Sequence, residues 1–221
     1  MPIEAAAAVP TVGVSGTGEV SVKPDRATVR IGASHQADTA IEAQSRVNEI
    51  IDEATKAIRA LDIEGLVIQT SGLSLSAVYD YRRDQEPRII GYRSSISLSV
   101  RIDDIDRTGR VIDAAMSTGA NQLQGVEFSL QDDGEARREA LKRAVHDARS
   151  KADAIADALG RSLVGLVEVR EQGVSVPVLR RGAESGEMMR MSADAAPTPI
   201  EAGEISVRAN VEITYSLGSG N

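Results

Sequence analysis

Ile90-Gly-Tyr92-Arg-Ser-Ser-Ile96-Ser-Leu98-Ser-Val100-Arg-Ile102 is the stretch that decides the fold class. Ile90, Tyr92, Ile96, Leu98, Val100 and Ile102 share one parity, and Arg93, Ser95, Ser97, Ser99 and Arg101 share the other. This period of two describes a strand buried on one face and wet on the other. Such a strand belongs to an antiparallel sheet, because the strands of a doubly wound parallel sheet are buried on both faces.

Upstream of it, residues 80–88 are charged and contain Pro87, which reads as a hairpin tip. Residues 66–79 are extended, but the apolar phase slips from Leu66 and Ile68 to Leu73, Leu75, Ala77 and Tyr79; the slip beside Gly72 predicts a β-bulge. Ala43, Val47, Ile50, Ala54, Ile58 and Leu61 follow a helical period behind Thr39-x-x-Glu42, a capping box, and Gly65 closes the turn. Residues 11–22 and 27–36 alternate as two strands separated by Pro24-Asp25.

Downstream, Asp103-Asp104 reads as the cap of a short helix over 104–118, with Ile105, Val111, Ile112, Ala115 and Met116. Residues 122–131 form a strand. Asp132-Asp133 opens a long helix whose predicted core stripe is Leu141, Ala144, Val145, Ala148, Ala152, Ile155 and Leu159. Residues 162–176 are extended, 177–202 hold Pro and Gly breakers without a period, and 203–217 alternate as a long strand.

The expected fold is therefore α+β: two βαββ-like halves, about 11–102 and 122–217, joined by a linker helix at 104–118. The predicted sheet is single and mainly antiparallel, with the helices packed on one face. Residues 1–10 are read as a flexible lead-in, 11–217 as the domain, 177–202 as a long loop or hairpin insertion, and 218–221 as a tail.

Composition narrows the chemistry. In 221 residues there is no Cys and no Trp, so disulfides, thiolate metal sites and Cys nucleophiles are excluded. One Phe and four Tyr leave almost nothing for stacking single-stranded nucleic acid, and a net charge of −8 argues against a nucleic-acid partner. No apolar run reaches the ~18 residues of a transmembrane helix. No signal peptide is visible, which leaves a cytoplasmic protein or a mature form whose leader has been removed.

Gly16-x-Gly18 matches only the start of a dinucleotide fingerprint; no third Gly follows and no helix opens there, so it reads as a turn or bulge. His35, in phase with Val29, Ile31 and Ala33, is expected at the end of a core face, and His146 one step off a helical stripe. No metal-binding pair, nucleophile elbow or sugar-binding carboxylate pair with aromatic platforms occurs, so no catalytic residue and no cofactor is assigned.

Two segments gather the scarce residue types. Tyr79, Tyr81, Arg82, Arg83, Arg88 and Tyr92 cluster at the first tip, and with Arg93 they leave residues 79–93 at +1 in an acidic chain. Tyr and Arg are the residues of interface hot spots. Met188, Met189 and Met191 cluster in the second insertion; thioethers suit adaptable contacts, soft-metal binding or reversible oxidation. Both segments are read as contacts with another copy of the chain. A small-ligand, peptide or metal site in the Met-rich loop or between the halves is the alternative.

Several stretches, taken together in order and spacing, resemble the SIMPL domain family (domain of unknown function 541). They are Val14-Ser-Gly16-Thr-Gly18-Glu-Val20, Pro24-Asp25-Arg-Ala27, Leu73-Ser-Leu75, Ile90-Gly91-Tyr92, Gly125-Val-Glu-Phe128, the Ala-rich helix from Ala140 to Gly160, and Pro199-Ile-Glu-Ala-Gly203-Glu204. The family includes bacterial oxidative-stress-defence and periplasmic immunogenic proteins. The resemblance implies a periplasmic or secreted protein, no enzyme activity, no cofactor, a homo-oligomer, and a loose link to envelope or oxidative stress. It carries over no catalytic residue.

Overall fold

The computed structural model describes residues 9–82, 86–181, 198 and 200–219. In chain order the elements are β1 (Thr11–Val22), β2 (Arg26–Ala37), α1 (Ala40–Arg59), β3 (Val67–Asp80), β4 (Arg88–Ile102), a 3₁₀ turn (Ile105–Arg107), α2 (Thr108–Met116), β5 (Gln122–Ser129), α3 (Gly134–Ala158), β6 (Arg161–Ser175), β7 (Leu179–Arg181) and β8 (Ile205–Ser219). Every strand pairing is antiparallel, and the class is α+β as expected.

The strands fall into two sheets rather than one. A five-stranded sheet runs β3-β4-β2-β5-β7 and a three-stranded sheet runs β1-β8-β6. Among the described residues each sheet belongs to its own compact unit. One unit comprises Pro24–Gln131 and Val178–Gly203; the other comprises the chain up to Lys23, Asp132–Pro177, and Glu204 onward.

The first βαββ motif is as expected: β2, α1, β3 and β4 share one sheet in the order β2-β4-β3. The second is not built from 122–217. Its first strand is β1, so β1, α3, β6 and β8 repeat the same topology in the order β1-β8-β6, while β5 joins β2 in the larger sheet. The helix at 104–118 is not a linker. Val111, Ile112 and Ala115 of α2 are buried in the core of the larger unit, with Val29, Ile31, Val100 and Phe128.

Local chemistry explains the ends of the elements. Thr39 caps α1, its hydroxyl accepting the Glu42 backbone N–H at 3.2 Å, and Ala43, Val47, Ile50, Ala54 and Ile58 are buried along one stripe. The β3–β4 register shifts between Thr70 and Gly72, the bulge expected there. Asp104 makes no side-chain cap. Its neighbour Asp103 accepts a 2.7 Å hydrogen bond from Arg26 Nε, and Asp104 pairs with Arg107 at 3.3 Å.

The long helix corrects the expected stripe. Its buried residues are Ala136, Ala140, Ala144, Ala148, Ala152 and Ala156, whereas Val145 is 44% and Leu159 62% exposed. The reason lies in β1. A Cβ built on Gly16 would stand 2.0 Å from the Ala144 carbonyl oxygen, and one on Gly18 would stand 2.0 Å from that of Ala140. Helix and strand backbones therefore meet directly. Only Gly on the strand and Ala on the helix leave room for that approach, so the larger aliphatics turn outward. The Gly-x-Gly pair is neither a turn nor a bulge, since β1 pairs with β8 in unbroken register from Thr11 to Val22.

Candidate functional site

The expected contact segment lies at the far end of the β3–β4 hairpin. Tyr79 and Tyr81 are exposed, their ring centroids 6.0 Å apart and tilted by 40°. Arg82 Nε donates to Asp80 at 2.7 Å, and Arg88 stands opposite Asp80 in the ladder. Tyr92 is not the cross-strand partner of Tyr79: it faces Ala77 and Ala37, while Tyr79 faces Ile89. Tyr92 is half-buried, and Arg93 donates to Gln36 Oε1 at 3.0 Å. The tip thus brings together Tyr79, Tyr81, Arg82 and Arg88 and leaves Tyr92 apart. Arg83, Met188, Met189 and Met191 lie outside the described residues.

The described ends of the 177–202 insertion are anchored in the larger unit. Leu179 and Arg181 pair with Phe128 and Val126 across β7 and β5. Thr198 donates to Asp113 twice, from its hydroxyl at 2.6 Å and its backbone N–H at 3.2 Å. A Cβ on Gly109 would come within 2.3 Å of the Thr198 carbonyl oxygen, so α2 needs glycine there.

Sheet edges carry the largest asymmetry, and sequence reasoning missed it. β1 is an edge strand whose backbone is capped by side chains of α3. Arg143 Nη1 donates to the Glu19 carbonyl at 2.7 Å, Lys151 Nζ to the Ser15 carbonyl at 3.0 Å, and the Thr17 N–H donates to Asp147 at 2.8 Å. Lys151, then the Thr17 N–H, hold the Asp147 carboxyl below its ordinary pKa. β3 and β6 are edge strands of another kind. Among the described residues each has a partner on one side only, and both are exposed over most of their length. Leu73 on β3 is 65% exposed and Leu166 on β6 is 61% exposed. The β6 ladder shifts register three times, between Leu163 and Gly165, between Leu166 and Glu168 and between Glu171 and Val174; the extra residues at the first two, Val164 and Val167, are exposed as well.

β3 and β6 occupy equivalent places, each the third element of a βαββ motif. The sequence signal was present in the apolar run from Leu163 to Val169. It marks 162–176 as extended and no more, because nothing local says that a strand will sit at an edge.

The remaining shifted groups belong to surface ion pairs. Arg26 holds Asp103 low and Arg137 holds Asp133 low, while Ser206 and then Arg208 do the same for Glu19. His35 is exposed near the end of β2, not at the end of a core face, and His146 is exposed on α3. No helix is long and apolar enough to cross a membrane, among the described residues.

The family model for SIMPL, a protein of unknown function (DUF541), matches residues 12–215. The chain belongs to the SIMPL family. This SIMPL chain is 34% identical over 215 residues to the 26 kDa periplasmic immunogenic protein of Brucella melitensis biotype 1, covering 93% of the chain and 84% of that relative. It is 26% identical over 161 residues to YggE of Edwardsiella ictaluri, covering 73% of the chain and 67% of that relative. It is 24% identical over 212 residues to YggE of Escherichia coli K12, covering 94% of the chain and 83% of that relative. The matched span of the SIMPL model runs from β1 into β8 and so includes both βαββ motifs.

Proposed function

We propose that this SIMPL protein is a non-enzymatic, self-associating protein of the bacterial envelope, with a link to stress defence. The carrying observation is the pair of edges, β3 and β6, that are bare among the described residues. A long edge strand with exposed apolar side chains and unpaired backbone groups is a template for another strand, and proteins that stay monomeric normally blunt such edges. The β1 edge, capped by Arg143, Asp147 and Lys151, is an example of that blunting within the same chain. Two open edges on one chain allow each copy to join two others, as a closed or extended assembly requires. The exposed Tyr79–Tyr81 pair continues the β3 surface and supplies hot-spot residue types.

The periplasmic name of the Brucella relative supports the envelope location. The stress link rests on the family resemblance alone.

The test is the solution mass of the whole chain, measured by light scattering beside two variants. Leu73→Lys/Leu75→Lys places charge on β3, and Val164→Lys/Val167→Lys places it on β6. The proposal expects the wild type to exceed the 23.4 kDa chain mass and each variant to lose mass. Unchanged mass in both variants would show that neither edge is used.

A further inference from the structure

The seating of α3 on β1 has a second effect on the smaller unit. Gly16 and Gly18 draw the helix to one edge of the three-stranded sheet, and β6 lies at the other edge. Tyr215 and Ile213 of β8 point to the helix side and are buried, and in register beside them stand Leu166 and Val169 of β6, both exposed. The outward turn of the larger α3 side chains leaves an apolar channel along the helix. It is a shallow groove of about 660 Å³, wide open to solvent along the helix.

Leu141, Val145 and Tyr215 supply its apolar lining, and Arg138, Lys142 and Arg149 line it with charge, beside His146. Among the described residues no carboxylate lines the groove, although the chain carries a net charge of −8. The Arg149 guanidinium carbon stands 5.6 Å from the Tyr215 ring centroid, which holds this cation over the apolar floor while it pairs with Asp153 at 3.2 Å. Lys142 has only a distant partner, Glu139 at 3.9 Å, and Arg138 makes no ion pair among the described residues.

We propose that this groove binds an amphiphilic carboxylate of the fatty-acid class. Its headgroup would meet Arg138 and Lys142, and its alkyl chain would lie against Leu141, Val145 and Tyr215. Charge complementarity selects the anion, since guanidinium and ammonium groups bond carboxylates with charge-assisted hydrogen bonds. The apolar lining selects the chain, since each buried methylene adds favourable transfer free energy. A nucleic acid fits poorly, because the groove offers one buried aromatic ring and the whole chain is acidic. The proposal does not depend on self-association.

The test is calorimetric titration of the full chain with dodecanoate, kept below its micellar concentration. Butyrate and dodecyltrimethylammonium are the counter-probes. Saturable binding of one dodecanoate per chain is expected, with butyrate at least about 100-fold weaker for want of eight methylenes. Arg138→Gln/Lys142→Gln is expected to weaken dodecanoate at least about 10-fold, and Val145→Asp to abolish its binding. All three positions are exposed, and circular dichroism verifies that the variants fold. The proposal is overturned if dodecanoate does not bind, if the cationic amphiphile binds as tightly, or if the double variant binds like the wild type. It is also overturned if the wild type does not bind dodecanoate and Val145→Asp lowers the solution mass, because the face is then a contact between copies.

Discussion

Replacing Gly18 by Ala tests how the smaller unit is assembled. The added methyl would lie 2.0 Å from the Ala140 carbonyl oxygen, 2.5 Å from the Ala144 nitrogen and 2.8 Å from the Arg143 Cβ. Ordinary contact begins near 3.4 Å, so α3 must lift by about 1.4 Å locally. The obstacles are helix backbone, which cannot swing aside as a flexible side chain can. Overpacking of this kind costs about 1–3 kcal/mol, and the extent of the clash places Gly18→Ala in the upper part of that range. Gly16→Ala meets the same helix one turn further on, 2.0 Å from the Ala144 oxygen, and costs about as much. The two changes are coupled: once the helix has lifted for one, the other is partly accommodated. The double variant should therefore cost less than the sum. Gly13→Ala is the control, because its methyl would meet only the Thr214 hydroxyl at 3.7 Å. Thermal unfolding followed by circular dichroism measures all four variants. For a chain of this size each kcal/mol corresponds to about 2–4 °C. If Gly16→Ala and Gly18→Ala melt with Gly13→Ala, the helix does not rest on the β1 backbone and the account of the exposed α3 face fails.

Two further outcomes are expected. Asp103 is held below its ordinary pKa by Arg26, so the pair contributes stability above the unfolded carboxylate value of about 3.9 and loses it as pH falls through the lower folded value. Asp103→Asn should cost up to about 1 kcal/mol at pH 7 and nearly nothing at pH 2 in urea titrations; an equal cost at both pH values contradicts the pairing. Asp113→Ala removes the acceptor of both Thr198 hydrogen bonds and should destabilise the larger unit by about 1–3 kcal/mol in the same assay, whereas Asp113→Asn should recover part of that loss.

The legible parts of the fold were those set by neighbours in the chain. The alternation of Ile96, Leu98 and Val100, the Thr39 cap and the slip beside Gly72 all depend on residues a few positions apart, and all three appear where the pattern places them. Partnering was not legible. β1 and β5 alternate alike, and nothing within either strand states that β1 takes β8 while β5 takes β2. The second βαββ motif was therefore assigned the wrong first strand. The α3 stripe misled for a related reason. Leu141, Val145 and Ile155 are the hydrophobic choice for a core, but the burying face was set by Gly16 and Gly18, more than a hundred residues away. A run of Ala at every fourth position, facing a Gly-x-Gly strand, is the signal that would have revealed it.

At the tip, the Tyr and Arg cluster was legible as a group, but its split into an exposed Tyr79–Tyr81 pair and a separate Tyr92 depends on ladder register. The open edges of β3 and β6 were invisible, since an edge is a property of the sheet rather than of the strand.

Self-association through those edges is the central claim, and light scattering of the unmodified chain over a range of concentrations tests it most directly. The account predicts a mass that is a multiple of 23.4 kDa and persists on dilution into the micromolar range. A mass of 23.4 kDa at every concentration would contradict it.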